Sequence, residues 1–204
     1  LYNGAAWKGR TIESYIGGND GFCIWNKEQE HKGRTTTGYY LRKLVDETHD
    51  VIAVTDSKQP NTIIRYGEVL LNKAEACYHL NDAAGANAAI KAIRARVNLP
   101  YSDKSSDKLW AAIRQERKVE LAYEGLWYWD LRRWKDAAKQ YPEGLNGYQV
   151  HGLKIEKQAN GDFTYTYVSV DDKDRTFPEK MYRFPLPSNE LSCNALVTQY
   201  PEWK

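Results

Sequence analysis

RYGEVLLNKAEACYHL, Arg65 to Leu80, followed by NDAAGANAAIKAIRARVNLP, Asn81 to Pro100, carries the clearest periodicity in the chain. From Asn61 onward Ile63, Tyr66, Leu70, Ala74, Cys77 and Tyr78 recur at three- and four-residue spacing, with strong helix formers between them. That spacing predicts a long amphipathic helix stopping near Asn81. Asp82 is placed to cap a second helix over Ala83 to Val97, whose stripe is Ala86, Ala89, Ile90, Ile93 and Val97. Two helices joined by so short a link pack antiparallel. The alanine stripe allows their axes to approach closely.

Working outward, Asn98 to Asp107 is a polar loop containing Pro100, and Ser106 or Asp107 starts a third helix through Leu109, Ala112, Ile113 and Leu121. Gly125 marks its end, and a fourth helix runs through Trp127, Leu131 and Trp134. Residues 63–139 therefore read as two consecutive helical hairpins, tetratricopeptide-like in architecture without the 34-residue consensus spelling. Upstream, residues 1–60 are rich in Gly, Asn, Thr and aromatics, with a turn cluster at Gly17 to Gly21. Thr36 to Val45, with Tyr39, Leu41 and Leu44, reads as a short strand, the helical alternative remaining open. Past Tyr141-Pro142 the period becomes two. Leu153 and Ile155, then Phe163, Tyr165 and Tyr167, alternate about an Asn160-Gly161 turn and predict a β-hairpin. Pro185, Pro187 and Pro201 keep the tail extended over the helices, with one helical turn at Ser188 to Leu191. The expected fold is mainly α: one domain with a loop-rich segment over 1–60, helical hairpins over 61–140, and a small β-hairpin with an extended tail over 141–204.

The 204 residues suffice for a real core. With 29 Lys+Arg against 27 Asp+Glu, the composition gives no reason to expect nucleic acid. No apolar run approaches the roughly 20 residues that cross a bilayer, and no signal-peptide pattern opens the chain. It begins at Leu1 in loop-like sequence, and we expect a piece of a longer product. Cys23, Cys77 and Cys193 lie far apart and indicate neither a zinc cluster nor a disulfide framework.

Four segments, in order, resemble the SusD/RagB family: TTTGYYLRKLVDE (Thr35 to Glu47), the helix pair from Arg65 to Pro100, IRQERKVELAYEGLWYWDLRRWK (Ile113 to Lys135), and MYRFPLPSNELSCNALVTQYPEW (Met181 to Trp203). The resemblance implies tetratricopeptide-like helical pairs with an irregular region carrying ligand loops. It also implies non-catalytic capture of oligosaccharide or polysaccharide at the surface of a Gram-negative outer membrane. The partner it implies is a SusC-like TonB-dependent transporter. Signal sequence, lipidated cysteine and N-terminal helical repeats are not in this sequence, so membrane attachment is expected only through a lipid anchor outside it.

Glu116, Glu120 and Glu124 share a helix face, and paired carboxylates are the chemistry of glycoside hydrolysis. The same spacing suits ion pairs between neighbouring helices, with Arg132 and Arg133 as partners, and that reading is favoured. Trp127 and Trp134 share a face, and they and Trp110 read as packing residues. Trp7 and Trp25 lie instead in Gly- and Asn-rich loops. Flat rings there suit stacking on sugar faces, with Asn3, Asn19, Asp20, Asn26 and Arg34 as polar neighbours able to bond hydroxyls. The family resemblance, whose ligand contacts come from loops before the RYGE-type helix, strengthens Trp7 and Trp25. Phe163, Tyr165 and Tyr167 are expected to pack on the helices rather than form a second platform. The four histidines show no ligand spacing, so neither metal nor cofactor is expected. The rival readings are a tetratricopeptide-type adaptor for protein partners and a glycosidase using two of the three glutamates.

Overall fold

The computed structural model describes residues 1–21, 34–47, 60–141, 149–171, 173 and 175–204. The chain divides into two compact units, one formed by Asp46–Trp134 and the other by Leu1–Val45 together with Lys135–Lys204.

The first unit is helical: α1 (Tyr66–His79), α2 (Ala83–Ala95), α3 (Ser106–Glu120) and α4 (Leu126–Arg133). The Asp82 side chain caps α2 by accepting from the Gly85 N–H at 2.8 Å. Ala86, Ala89, Ile90 and Ile93 are buried as the stripe requires, whereas Val97 lies beyond the helix and is exposed. Ala74, Ala86, Ala89, Ile90, Leu109 and Ile113 form one core cluster; Leu71, Ile93 and Leu121 form another. Burying each leucine or isoleucine among them stabilises by about 1.5–3 kcal/mol before entropy is subtracted.

The start of α1 differs from expectation. Ile63 and Tyr66 are exposed, and the buried stripe is Leu71, Ala74 and Glu75. The reason is Arg65, which is extended at the N-cap and reaches Glu120 at the end of α3 and Glu124 in the turn after it, so the helix begins only at Tyr66. At the other end of α3 the chain turns through Leu121–Gly125, with Gly125 left-handed at φ 77°. The two-turn α4 then buries Leu131 and Asp130.

In the second unit β1 (Ala6–Trp7) pairs with β2 (Arg10–Thr11), and β3 (His151–Lys157) pairs with β4 (Phe163–Ser169), both antiparallel. Asn160 and Gly161 sit in the connecting turn, where the Asn160 Oδ1 accepts from the Asp162 N–H. α5 (Ala137–Gln140) and α6 (Ser188–Cys193) are short, and in the tail α6 lies between 3-10 turns at Glu179–Tyr182 and Pro201–Trp203.

Two expectations fail here. Thr36 to Val45 is neither strand nor helix. The Thr35 and Thr37 hydroxyls turn inward onto the Tyr39 carbonyl, a local bonding that competes with a ladder, and Thr37 contributes one carbonyl to the Leu153 N–H. Tyr165 and Tyr167 are not buried either, being 57% and 75% exposed. Neighbouring segments attach along β3, through Ile16 N–H to the Ile155 carbonyl and Leu153 N–H to the Thr37 carbonyl, so β4 is left outward. Phe163 is half-buried against Tyr15. The close approach at β3 depends on Gly38, left-handed at φ 79°, where an added Cβ would fall 2.3 Å from the Leu153 carbonyl oxygen.

Candidate functional site: the Trp7 hairpin and the arginine-bound carboxylates

Trp7 and Arg10 face each other across a two-residue turn, and both residues between them have positive φ: Lys8 at 44° and Gly9 at 79°. That backbone matches the strand twist of the tightest hairpins and places the indole at the tip. Beneath it Ala5 and Ile12 are buried, their backbones joined by the Ile12 N–H to the Ala5 carbonyl.

Trp7 itself is half-buried. The Arg42 guanidinium carbon lies 5.5 Å from its ring centroid and the Lys8 Nζ 5.8 Å, both within cation–π range. Arg42 arrives on the segment whose Tyr40 N–H donates to the Leu1 carbonyl and whose Tyr40 hydroxyl donates to the Asp20 carbonyl.

The polar neighbours expected around Trp7 bind one another. Asp20 takes Arg10 through both oxygens at 2.6 and 2.7 Å and also accepts from the Glu13 N–H. The bonds from Arg10 hold its carboxyl below the ordinary carboxylate range, against the opposing effect of burial. Asn3 accepts from the Ser14 N–H, and Ser14, fully buried, donates to the Gly38 carbonyl. Asn19 donates to Glu13. Asn3, Asn19 and Asp20 therefore brace the loop that carries Trp7, while Arg34 is exposed beside Thr35. Trp25 and Asn26 lie outside the described residues. Sequence reasoning missed Lys8 and Arg42. The Lys8-Gly9 dipeptide after Trp7 is a readable turn signal, but nothing in the spacing brings Arg42 back across 35 residues to the same ring.

In the helical unit the three glutamates are all held by arginine. Arg65 bonds Glu120 at 2.6 Å and both oxygens of Glu124 at 2.8 Å; Arg96 bonds Glu120 at 3.0 Å; Arg94 bonds Glu116 at 2.8 Å. The pairing is as expected but the partners are not. Arg132 bonds the Tyr128 hydroxyl and lies over the Tyr128 and Trp129 rings, and Arg133 turns to Glu75 and Asp130. α2 runs alongside α3 so that its C-terminal Arg94 and Arg96 come level with Glu116 and Glu120, while α4 folds toward the Glu75 side of α1.

Buried at that junction is Arg117, which donates to both oxygens of Asp130 at 2.9 and 3.1 Å and to Asn72 at 2.7 Å. Glu75 takes both Arg133 nitrogens and the Trp134 indole N–H. Burial pushes the Glu75 carboxyl up, but these bonds outweigh it and leave it below its ordinary value. Tyr78, Trp110, Trp134 and Trp127 follow in a chain of ring contacts 5.1 to 6.1 Å apart, so Trp110, Trp127 and Trp134 pack against one another. Among the described residues no group of three or more His, Cys, Asp or Glu is arranged to hold a metal ion. No helix among them is long and apolar enough to cross a membrane.

The SusD family model matches residues 1–203. The chain belongs to the SusD family. Among solved structures, a SusD-like protein from Bacteroides fragilis NCTC 9343 is similar to this SusD-family chain at 28% identity and a TM-score of 0.71. The match covers 94% of this chain and 34% of that protein, so the chain spans about a third of its relative's length. No curated protein matches it. The mainly α fold and the family resemblance read from the four segments are both borne out.

Proposed function

We propose that this SusD-family chain contributes to non-catalytic capture of glycan at the cell surface, for delivery to a SusC-like TonB-dependent transporter in the outer membrane. The observation that carries the reading is the Trp7 hairpin: an indole at the tip of a tight turn, on a loop whose other polar groups brace it from within. An indole presented this way suits the apolar face of a pyranose ring. Trp25, Asn26 and Arg34 remain proposed contacts from the same loop-rich stretch. A lipid anchor outside the sequence would hold the protein at the membrane.

The arginine pairing of Glu116, Glu120 and Glu124 supports binding over hydrolysis. Hydrolysis needs two carboxyl groups open to the substrate, and each of these three is engaged by a guanidinium. The adaptor reading has one observation in its favour: Ile63, Tyr66, Val69, Val119 and Tyr123 of the helical unit are exposed.

Calorimetric titration of the chain with a panel of soluble polysaccharides, assaying the same samples for reducing ends, tests the proposal. Saturable heat without new reducing ends, lost in Trp7→Ala, is the expected result. New reducing ends would replace capture by hydrolysis, and silence across the panel would favour the adaptor.

A further inference from the structure

The β3–β4 hairpin leaves one edge open, and the ladder fixes which groups lie on it. At the two ends of the hairpin the Gln158 N–H donates to the Asp162 carbonyl and the Val170 N–H to the Val150 carbonyl. Bonded and non-bonded pairs alternate along an antiparallel ladder, so the bonded pairs are Gly152–Val168, Lys154–Thr166 and Glu156–Thr164. The odd-numbered residues therefore turn their backbone groups outward. On β3 those groups are taken: the Leu153 N–H donates to the Thr37 carbonyl, and the Ile155 carbonyl accepts from the Ile16 N–H. On β4 they belong to Phe163, Tyr165, Tyr167 and Ser169, and no described residue bonds to them on that side. Nothing in the strand, FTYTYVS, blunts the edge, since it holds no charge, proline or glycine. Tyr165 and Tyr167 stand largely exposed along it, the Tyr167 ring stacked on His151 at 4.8 Å.

We propose that β4 pairs antiparallel with β4 of a second copy of this chain, about a twofold axis at Thr166. The strand is self-complementary in that register. Tyr165 and Tyr167 of one copy lie opposite Tyr167 and Tyr165 of the other and exchange their outward N–H and carbonyl bonds, each free donor meeting a free acceptor. Thr166 meets its own copy and Thr164 meets Val168, so no charged side chain is set against another along the strand. Aromatic pairs and facing threonines are among the cross-strand contacts that stabilise a sheet. The two-stranded sheets of the two copies join into one of four strands, with both β4 strands at its centre. One strand's length of contact is a small interface, so the dimer is weak and reversible.

Sedimentation equilibrium of the chain from about 10 μM to about 1 mM reads the association. It is run on the parent, on Thr166→Lys, on Thr166→Glu, and on an equimolar mixture of the two variants. Thr166 is exposed, so neither change disturbs the core, and each variant alone sets like charges opposite each other on the axis. The parent should dimerise as concentration rises, and each variant alone should associate roughly tenfold or more weakly. The mixture should recover the parent's association, because lysine then faces glutamate. Hydrogen exchange gives a second reading: the Tyr165 and Tyr167 amides should slow on association, while the Thr166 and Val168 amides, already bonded to β3, stay unchanged. A parent still monomeric at about 1 mM would overturn the proposal. A dimer left intact in both variants, or weakened in both and not restored in their mixture, would place the contact elsewhere and overturn it too. Slow exchange at Tyr165 and Tyr167 in the monomer would mean that another part of the chain covers the edge, with the same consequence.

Discussion

Replacing Arg117 by methionine removes the guanidinium from a junction where its side chain and that of Asp130 are only 4% and 5% exposed. The loss has two parts. Asp130 keeps one bond, from the Arg133 Nε at 2.9 Å, but Arg133 is 43% exposed and only partly screens the charge left behind. Asn72 loses a charged donor at 2.7 Å. Breaking a buried pair from one side costs about 3–5 kcal/mol, and the surviving Arg133 bond places Arg117→Met at the lower end, roughly 3 kcal/mol. For a chain of this size that is a fall of about 6–12 °C in Tm. The decisive variant is the double one, Arg117→Met with Asp130→Leu, which removes both charges and keeps apolar volume. Because the cost lies in stranding a buried carboxylate and not in losing an attraction, the double variant should recover most of the stability lost in the single one. Urea unfolding of parent, singles and double, read at constant m-value, measures this directly. A double variant no more stable than Arg117→Met would refute the reasoning.

Arg133→Ala should destabilise by about 1–3 kcal/mol, since it removes the bidentate partner of Glu75 and a second bond to Asp130; a thermal midpoint equal to the parent's would contradict this. The Glu75 carboxyl lies below its ordinary value of 4.5 in the folded state, so the unfolded chain binds the proton more readily. Stability is therefore present above about pH 4.5 and lost as pH falls through the lower folded value, and Glu75→Gln should flatten that acid limb in unfolding measured from pH 7 to pH 3. Gly38→Ala should cost more than about 1 kcal/mol, combining a left-handed backbone with a Cβ driven onto the Leu153 carbonyl; hydrogen exchange at the Leu153 amide should rise with it.

The helical unit was largely legible because its signals are local. Asp82 three residues before a helical amide, and alanines at three- and four-residue spacing before Ile90 and Ile93, fix α2 with no knowledge of what packs on it. Legibility ended where a distant partner decided the outcome. Arg65 is drawn to Glu120 and Glu124, 55 and 59 residues away, and its engagement keeps Ile63 and Tyr66 out of the core despite their correct spacing. Arg132 and Arg133 followed the same logic: adjacency in sequence suggested the nearest glutamates, but the fold of α4 sent one to Glu75 and the other over aromatic rings.

The candidate site divides along the same line. The indole was visible in sequence as an aromatic with no helical stripe to join, and the turn that aims it is written in the adjacent Lys8-Gly9. Its surroundings were not visible, because polar residues expected beside Trp7 are consumed in bracing: Asp20 by Arg10, and Asn3 by Ser14. The cation that completes the surroundings of the ring is delivered by the return segment at Tyr40 and Arg42, tied down by backbone bonds that no side-chain pattern encodes. The aromatic is therefore legible in the sequence and its surroundings are not, because the return of Arg42 to the ring is a tertiary contact that no local spacing records.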